Sequence, residues 1–395
     1  MRMSHLAGAV GLATVIACTA PAPASAQVPE DIYQGLVRIG QIVDPACTAK
    51  LYRSLMPAND YNTYWAPGAA APDASKAKLY PGVTIHRDQK FGPHDKDLVD
   101  VFVADQQGTN RPIFIWVPGG GGNKIEQQVR EGNAFYDNIG RWGVKNGYVV
   151  ATVQRHPGQN WDDPGRDIAA AVDWLKANAA KFGGDPNRIF MGAHSAGTGP
   201  TGQYVGHPER WPNGVQIKGM IYMSGNPIPG ILPAAAGGGR GGPGGRQGGP
   251  APGAACGTTA AQNGTEGAIS GPSGVTPQPA RQGGAGRGGG RGGQQLTPEQ
   301  VAERDNLPGF KKTNVRIMLV RAELDPGVMG DMIDADKAIR DALCATEGAN
   351  AREGQGRCPT MLYARRHSHM SEVFAFDTPD TTVSKPILDW MAAIR

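Results

Sequence analysis

The sequence predicts an α/β fold: a mostly parallel central sheet flanked by helices on both faces. Two observations point there. Extended and helical segments alternate along most of the chain. Several extended segments, such as Ile113-Phe114-Ile115-Trp116-Val117, are unbroken apolar runs. Such runs suit central strands that meet water on neither face.

The elements follow in order. Ile32, Leu36, Ile39 and Val43 recur at helical spacing, and Pro45 is expected to stop that helix. Val83–His86 and Leu98–Val103 read as paired strands. Arg111 to Pro118 and Tyr148–Val153 read as central ones. Asp167–Phe182 carries Ile168, Ala171, Val172 and Leu175 as the apolar stripe of a helix. Asp185-Pro186-Asn187 reads as a turn, followed by a short strand Arg188–Ala193 that runs straight into Ser195. Ile217–Met223, Val315–Val320 and Thr360–Tyr363 are three more strands, and helices are expected over Asp331–Leu343 and Val383–Ile394.

The 395 residues divide into an export signal and one domain. Arg2, the short apolar run Leu6 to Ala17 and the small residues Ala24-Ser25-Ala26 read as a signal peptide over 1–26. The mature chain then begins at Gln27 and is secreted or periplasmic. An alternative is that Val15-Ile16-Ala17-Cys18 resembles a lipobox, which would make Cys18 a lipid-anchored N-terminus. No apolar stretch is long enough for a membrane span. The domain, 27–395, is interrupted by a Gly/Arg-rich insertion at 234–296. Between Ala234 and Gln295 there are 23 glycines and no aromatic residue, so this stretch reads as disordered. Its Arg-Gly-Gly repeats resemble RNA-binding tails, but an exported chain makes a solvated loop the favoured reading.

The formal net charge is +4, and the insertion alone, with five arginines against Glu266, accounts for +4. The folded body is therefore nearly neutral, and no nucleic-acid partner is expected. Cys47, Cys256, Cys344 and Cys358 make an even set that favours disulfides in an exported protein. Cys344 and Cys358 flank one short polar loop and form the expected pair, leaving Cys47 for Cys256. Oligomeric state has no sequence signal.

Chemistry concentrates in two glycine-containing turns. Phe190-Met191-Gly192-Ala193-His194-Ser195-Ala196-Gly197 takes an apolar strand into a small–x–Ser–x–Gly turn and then a helix. A nucleophilic serine needs such a sharp turn, with small residues two before and two after it. Upstream, Trp116-Val117-Pro118-Gly119-Gly120-Gly121-Gly122-Asn123 follows a buried strand. Glycines there let backbone N–H groups approach a developing oxyanion.

With these two turns the chain resembles the α/β-hydrolase superfamily, in its carboxylesterase and hormone-sensitive-lipase-like branch. The resemblance covers Val83 to Arg395 without the insertion. Ala193 replaces the usual first glycine of the elbow, and Pro118 stands where the His-Gly-Gly-Gly loop has histidine. The resemblance implies Ser195 as nucleophile, with Gly120, Gly121 and Ala196 amides forming the oxyanion hole. The family order of serine, acid, histidine points to Asp325, just after the strand Val315–Val320, with Glu323 as runner-up. After Asp325 only His367 and His369 remain, and the His-x-Ser context selects His369. His194 is expected to pack beneath the sheet or to line the pocket, the former being the commoner case, and Arg166 and Asp167 to serve as structural ion-pair partners. No metal cluster, Walker loop or dinucleotide fingerprint is present. The implied reaction is hydrolysis of small-molecule carboxylic esters through an acyl-enzyme, without a cofactor. An amidase or formamidase with the same triad is the rival, and a catalytically inactive binding protein on the same fold is the alternative from another class.

Overall fold

A computed structural model of the chain describes residues 27–55, 80–106, 108–120, 134–155, 160–231, 297–326 and 331–394. The expected signal peptide, Gly121 and the 234–296 insertion lie outside the described residues.

Eight strands form one sheet: β1 (Val83–Lys90), β2 (Leu98–Ala104), β3 (Arg111–Val117), β4 (Val149–Val153), β5 (Gly184–His194), β6 (Gly219–Met223), β7 (Arg316–Leu324) and β8 (Thr360–Ser368). Their order is β1-β2-β4-β3-β5-β6-β7-β8. The β1–β2 and β2–β4 pairs are antiparallel, and every other neighbour pair is parallel. The helices are α1 (Glu30–Ile39), α2 (Pro45–Tyr52), α3 (Ala134–Lys145), α4 (Asp163–Asn178), α5 (Thr198–Gly206), α6 (Pro298–Glu303), α7 (Leu307–Phe310), α8 (Asp331–Cys344), α9 (Ser371–Phe374) and α10 (Ser384–Ala393).

The apolar runs are explained by a core on each face. Along β3, Phe114 and Trp116 face one layer with Phe102, Trp142, Phe376 and Ile387. Ile113, Ile115 and Val117 face the other with Ile168, Val172, Leu175 and Ile339. Side chains alternate across a strand, so a strand covered on both faces must be apolar at every position. Helices α1, α2, α3, α9 and α10 cover the first face, and α4, α5 and α8 the second.

Two expectations are corrected. Pro45 does not stop the first helix: α1 ends at Ile39, and Pro45 opens α2, where its missing N–H is no loss. Val43 lies between the two helices and is 55% exposed. The expected turn at Asp185–Asn187 is absorbed into β5. The Asp185 side chain accepts the Asn187 N–H at 2.9 Å, and the ladder with β3 slips there before resuming at Ile113. The disulfide Cys344–Cys358 is formed as expected. Cys47 is disulfide-bonded too, and its expected partner Cys256 lies outside the described residues.

Candidate active site

Ser195 follows the last residue of β5, at the carboxyl end of the parallel sheet, where ligands bind in open α/β folds. Its φ is +52°, the left-handed conformation that a nucleophile elbow imposes on a non-glycine residue. Thr198 Oγ1 donates to the Ser195 carbonyl at 2.7 Å and fastens the turn to the start of α5. A Cβ at Gly197 would lie 2.6 Å from the carbonyl oxygens of Val117 and Pro118. One at Gly119 would lie 3.0 Å from Ser195 Cβ and 3.1 Å from the His194 carbonyl. The two glycine turns therefore pack directly on each other, and neither has room for a side chain. Ala193, by contrast, is buried in register with Val117, so the elbow accepts a methyl where glycine is usual.

The upstream loop is anchored from behind. The Gly119 N–H donates to Tyr136 Oη at 3.2 Å, and Arg155 Nη2 donates to the Pro118 carbonyl at 3.1 Å. Gly119 thus has its amide engaged. Gly120, exposed and at φ +57°, comes next, and Ala196 is exposed beside Ser195. Gly121, the remaining expected oxyanion donor, lies outside the described residues. Tyr136 and Arg155 carry no motif and were invisible in the sequence. Tyr136 lies in the first turn of α3 at φ +70°, a conformation no local pattern announces for tyrosine.

Asp325 directly follows β7, and His369 directly follows β8. Asp325 Oδ1 and His369 Nδ1 are 2.5 Å apart, both buried. His369 Nε2 is buried and makes no hydrogen bond among the described residues, so the bond to Ser195 is not made in this structure. Catalytic hydrogen bonds often tighten only when substrate is bound. Glu323 is used elsewhere: it accepts the Arg366 N–H at 2.6 Å and the Tyr33 hydroxyl at 3.3 Å, and it lines a cleft of about 640 Å³ at the β8 edge. His367 is fully buried, between Thr382 Oγ1 at 2.7 Å and Ser371 Oγ at 3.1 Å. It pins the segment that carries His369. Arg166 pairs with Asp162, at 2.9 Å.

A model of the BD-FAE family matches residues 99–200, which run from β2 into α5 and include both glycine turns. Liver carboxylesterase 1F of Rattus norvegicus is 25% identical over 193 residues, 44% of this chain and 33% of the rat protein. Secreted lipase 5 of Gibberella zeae is 30% identical over 132 residues, 30% of this chain and 23% of the lipase. The matches thus span a third or less of these relatives' length. Among solved structures, esterase B from Lactobacillus rhamnosis superposes with a TM-score of 0.50 at 14% identity, covering 92% of this chain and 96% of that one. The chain thus has an α/β-hydrolase-like fold, and parts of it are similar in sequence to carboxylesterases and lipases.

Around the Asp325–His369 pair lies a buried polar cluster that the sequence did not signal. His194 Nε2 donates to the His369 carbonyl at 2.8 Å, with the two rings 4.6 Å apart. Burial first, and then the neighbouring His369, lower the His194 pKa to about 3, so the ring is neutral. Burial alone would raise the Asp325 carboxyl, but the His369 hydrogen bond and the Arg321 charge outweigh it and hold it below the usual range. Glu372, fully buried, is pushed well above the usual range by burial and then by the Asp325 charge. No group of three or more His, Cys, Asp or Glu side chains suited to a metal occurs among the described residues.

Proposed function

We propose that the protein is a serine hydrolase cleaving small-molecule carboxylic esters, with Ser195 as nucleophile, His369 as general base and Asp325 as the acid that orients it. The observation that carries this reading is the Asp325–His369 pair at 2.5 Å, just after β7 and β8, at the same carboxyl end of the sheet as the strained Ser195 turn after β5. His369 Nε2 takes the Ser195 proton as Oγ attacks the ester carbonyl. The Gly120, Gly121 and Ala196 amides receive the oxyanion. Collapse expels the alcohol, which takes the proton back from His369, and leaves an acyl-serine. Water, deprotonated by His369, then releases the acid and restores Ser195.

A fluorophosphonate probe is expected to label wild-type protein at Ser195 and to leave Ser195→Ala unlabelled. Folded Ser195→Ala that retains ester turnover would sink the reading. A panel of p-nitrophenyl esters, each matched with its anilide, separates an esterase from an amidase: faster turnover of the anilides would assign the same triad to amides. We also read the protein as exported, supported by the Cys344–Cys358 disulfide, a bond that persists in oxidising compartments. Sequencing of the mature N-terminus is expected to begin at Gln27, and a lipidated Cys18 would replace that reading.

A further inference from the structure

The mechanism uses His369 and Asp325 but leaves unexplained why a buried arginine and a second buried aspartate stand behind them. Arg321, four residues before Asp325 on β7, places Nη1 2.7 Å from Asp325 Oδ2. Its Nε is 2.8 Å from Asp336 Oδ2, and its Nη2 is 2.9 Å from Asp336 Oδ1 and 2.9 Å from the Gly225 carbonyl. All three side chains are buried. We propose that Arg321 is a positioning residue that fixes the Asp325 carboxylate for His369, and that Asp336, on α8, fixes Arg321 in turn.

The geometry argues for positioning rather than simple charge pairing. The last torsion of an aspartate is broad and soft. Here Oδ1 is claimed by His369 and Oδ2 by Arg321, so any rotation of the carboxylate breaks both contacts. A guanidinium is a planar fork with donors in fixed directions. Asp336 occupies one side of that fork with both oxygens, and the Gly225 carbonyl caps it. The orientation of Arg321 is thereby set by α8 and by the segment after β6, and is passed on to Asp325. A single ion pair on one flexible turn would not transmit it.

The groups facing this pair also set its charge. They are His194, the last residue of β5, Arg321 on β7 and Asp325 just after it, Asp336 on α8, His369 just after β8 and Glu372 on α9. With Glu372 and His194 neutral, one guanidinium faces two carboxylates, and the groups around the His369 ring carry one net negative charge. Proton transfer from Ser195 to His369 brings it to zero. Asp336 therefore favours the imidazolium as well as holding Arg321.

This inference rests on the ester-hydrolase reading, and the test keeps the two apart. Asp336→Asn keeps size and one acceptor but removes a negative charge. It is expected to lower kcat and to move the acid limb of kcat/KM, and the NMR titration of the His369 ring, to lower pH by roughly half a unit. Arg321→Lys keeps the charge and loses the fork. It is expected to lower kcat about tenfold with KM changed little and the acid limb unmoved. A purely structural role would lower the thermal midpoint without moving the His369 titration. Wild-type kcat in folded Arg321→Lys, or an unmoved His369 titration in folded Asp336→Asn, overturns the proposal. If Asp336→Asn does not fold, Arg321→Lys decides alone. Retained turnover in Ser195→Ala would instead overturn the triad and leave the His369 titration as the measure of the clamp.

Discussion

His194 stands immediately before Ser195, and its ring donates to the carbonyl of His369. One side chain therefore ties the Ser195 turn to the segment that carries His369. A neutral donor of similar reach should serve: His194→Gln is expected to keep most of kcat, whereas His194→Leu loses about tenfold or more with KM changed little. Steady-state kinetics on one ester distinguishes them. Glu372 is a different kind of residue, a carboxyl held neutral by burial. Its folded pKa exceeds the unfolded one, so the folded state binds the extra proton and stability falls as pH rises above the ordinary carboxylate range. Glu372→Gln, the isostere of the neutral acid, should melt higher than wild type at pH 8, with the gap closing towards pH 4. Thermal melts across that range check it. His194 has the opposite sign: its pKa drops from 6.5 to about 3 on folding, so it withdraws stability as pH falls below 6.5. Neither effect is legible in the sequence, because each depends on what surrounds the side chain rather than on its neighbours along the chain.

Among the elements, the two glycine turns meet backbone against backbone. Gly197→Ala would press a methyl against the Val117 and Pro118 carbonyls, backbone groups that cannot swing away. It is expected to abolish most activity and to lower the thermal midpoint, whereas Tyr136→Phe, which only frees the Gly119 N–H, should lower kcat with little change in melting. Activity and melting assays on the pair separate loop geometry from fold. The strands were readable in the sequence because two buried faces force long apolar runs, as in Ile113–Val117. The tight turn at Ser195 was readable for a related reason, since only small residues fit on either side of it. Pro45 and Asp185–Asn187 misled because both are locally good breakers. Tertiary context turned the first into a helix start and the second into an irregular strand entry. Tyr136, Arg155, Arg321 and Asp336 act by reaching across the fold, and no periodicity marks such residues.

At the scale of the whole molecule, the sheet divides into an antiparallel flank, β1-β2-β4, and a parallel body that carries the site at its carboxyl ends. The Cys344–Cys358 bridge closes the connection between α8 and β8, next to the strand that delivers His369. Replacing both cysteines by serine is expected to cost about 3 kcal/mol, the loop-entropy contribution of a ring this size. Chemical denaturation reads that cost as a lower midpoint. Turnover below the transition should survive, because the bridge touches none of the reacting groups. The tie between His194 and His369 spans 175 residues of chain, whereas His369 and Asp325 are separated by 44. Long closures carry the larger entropic cost and form late. After dilution from denaturant, the acid–base half of the site should therefore exist before it meets its serine. Tryptophan fluorescence would recover first, and catalytic competence would arrive with a lag, as the last property of the native state to return.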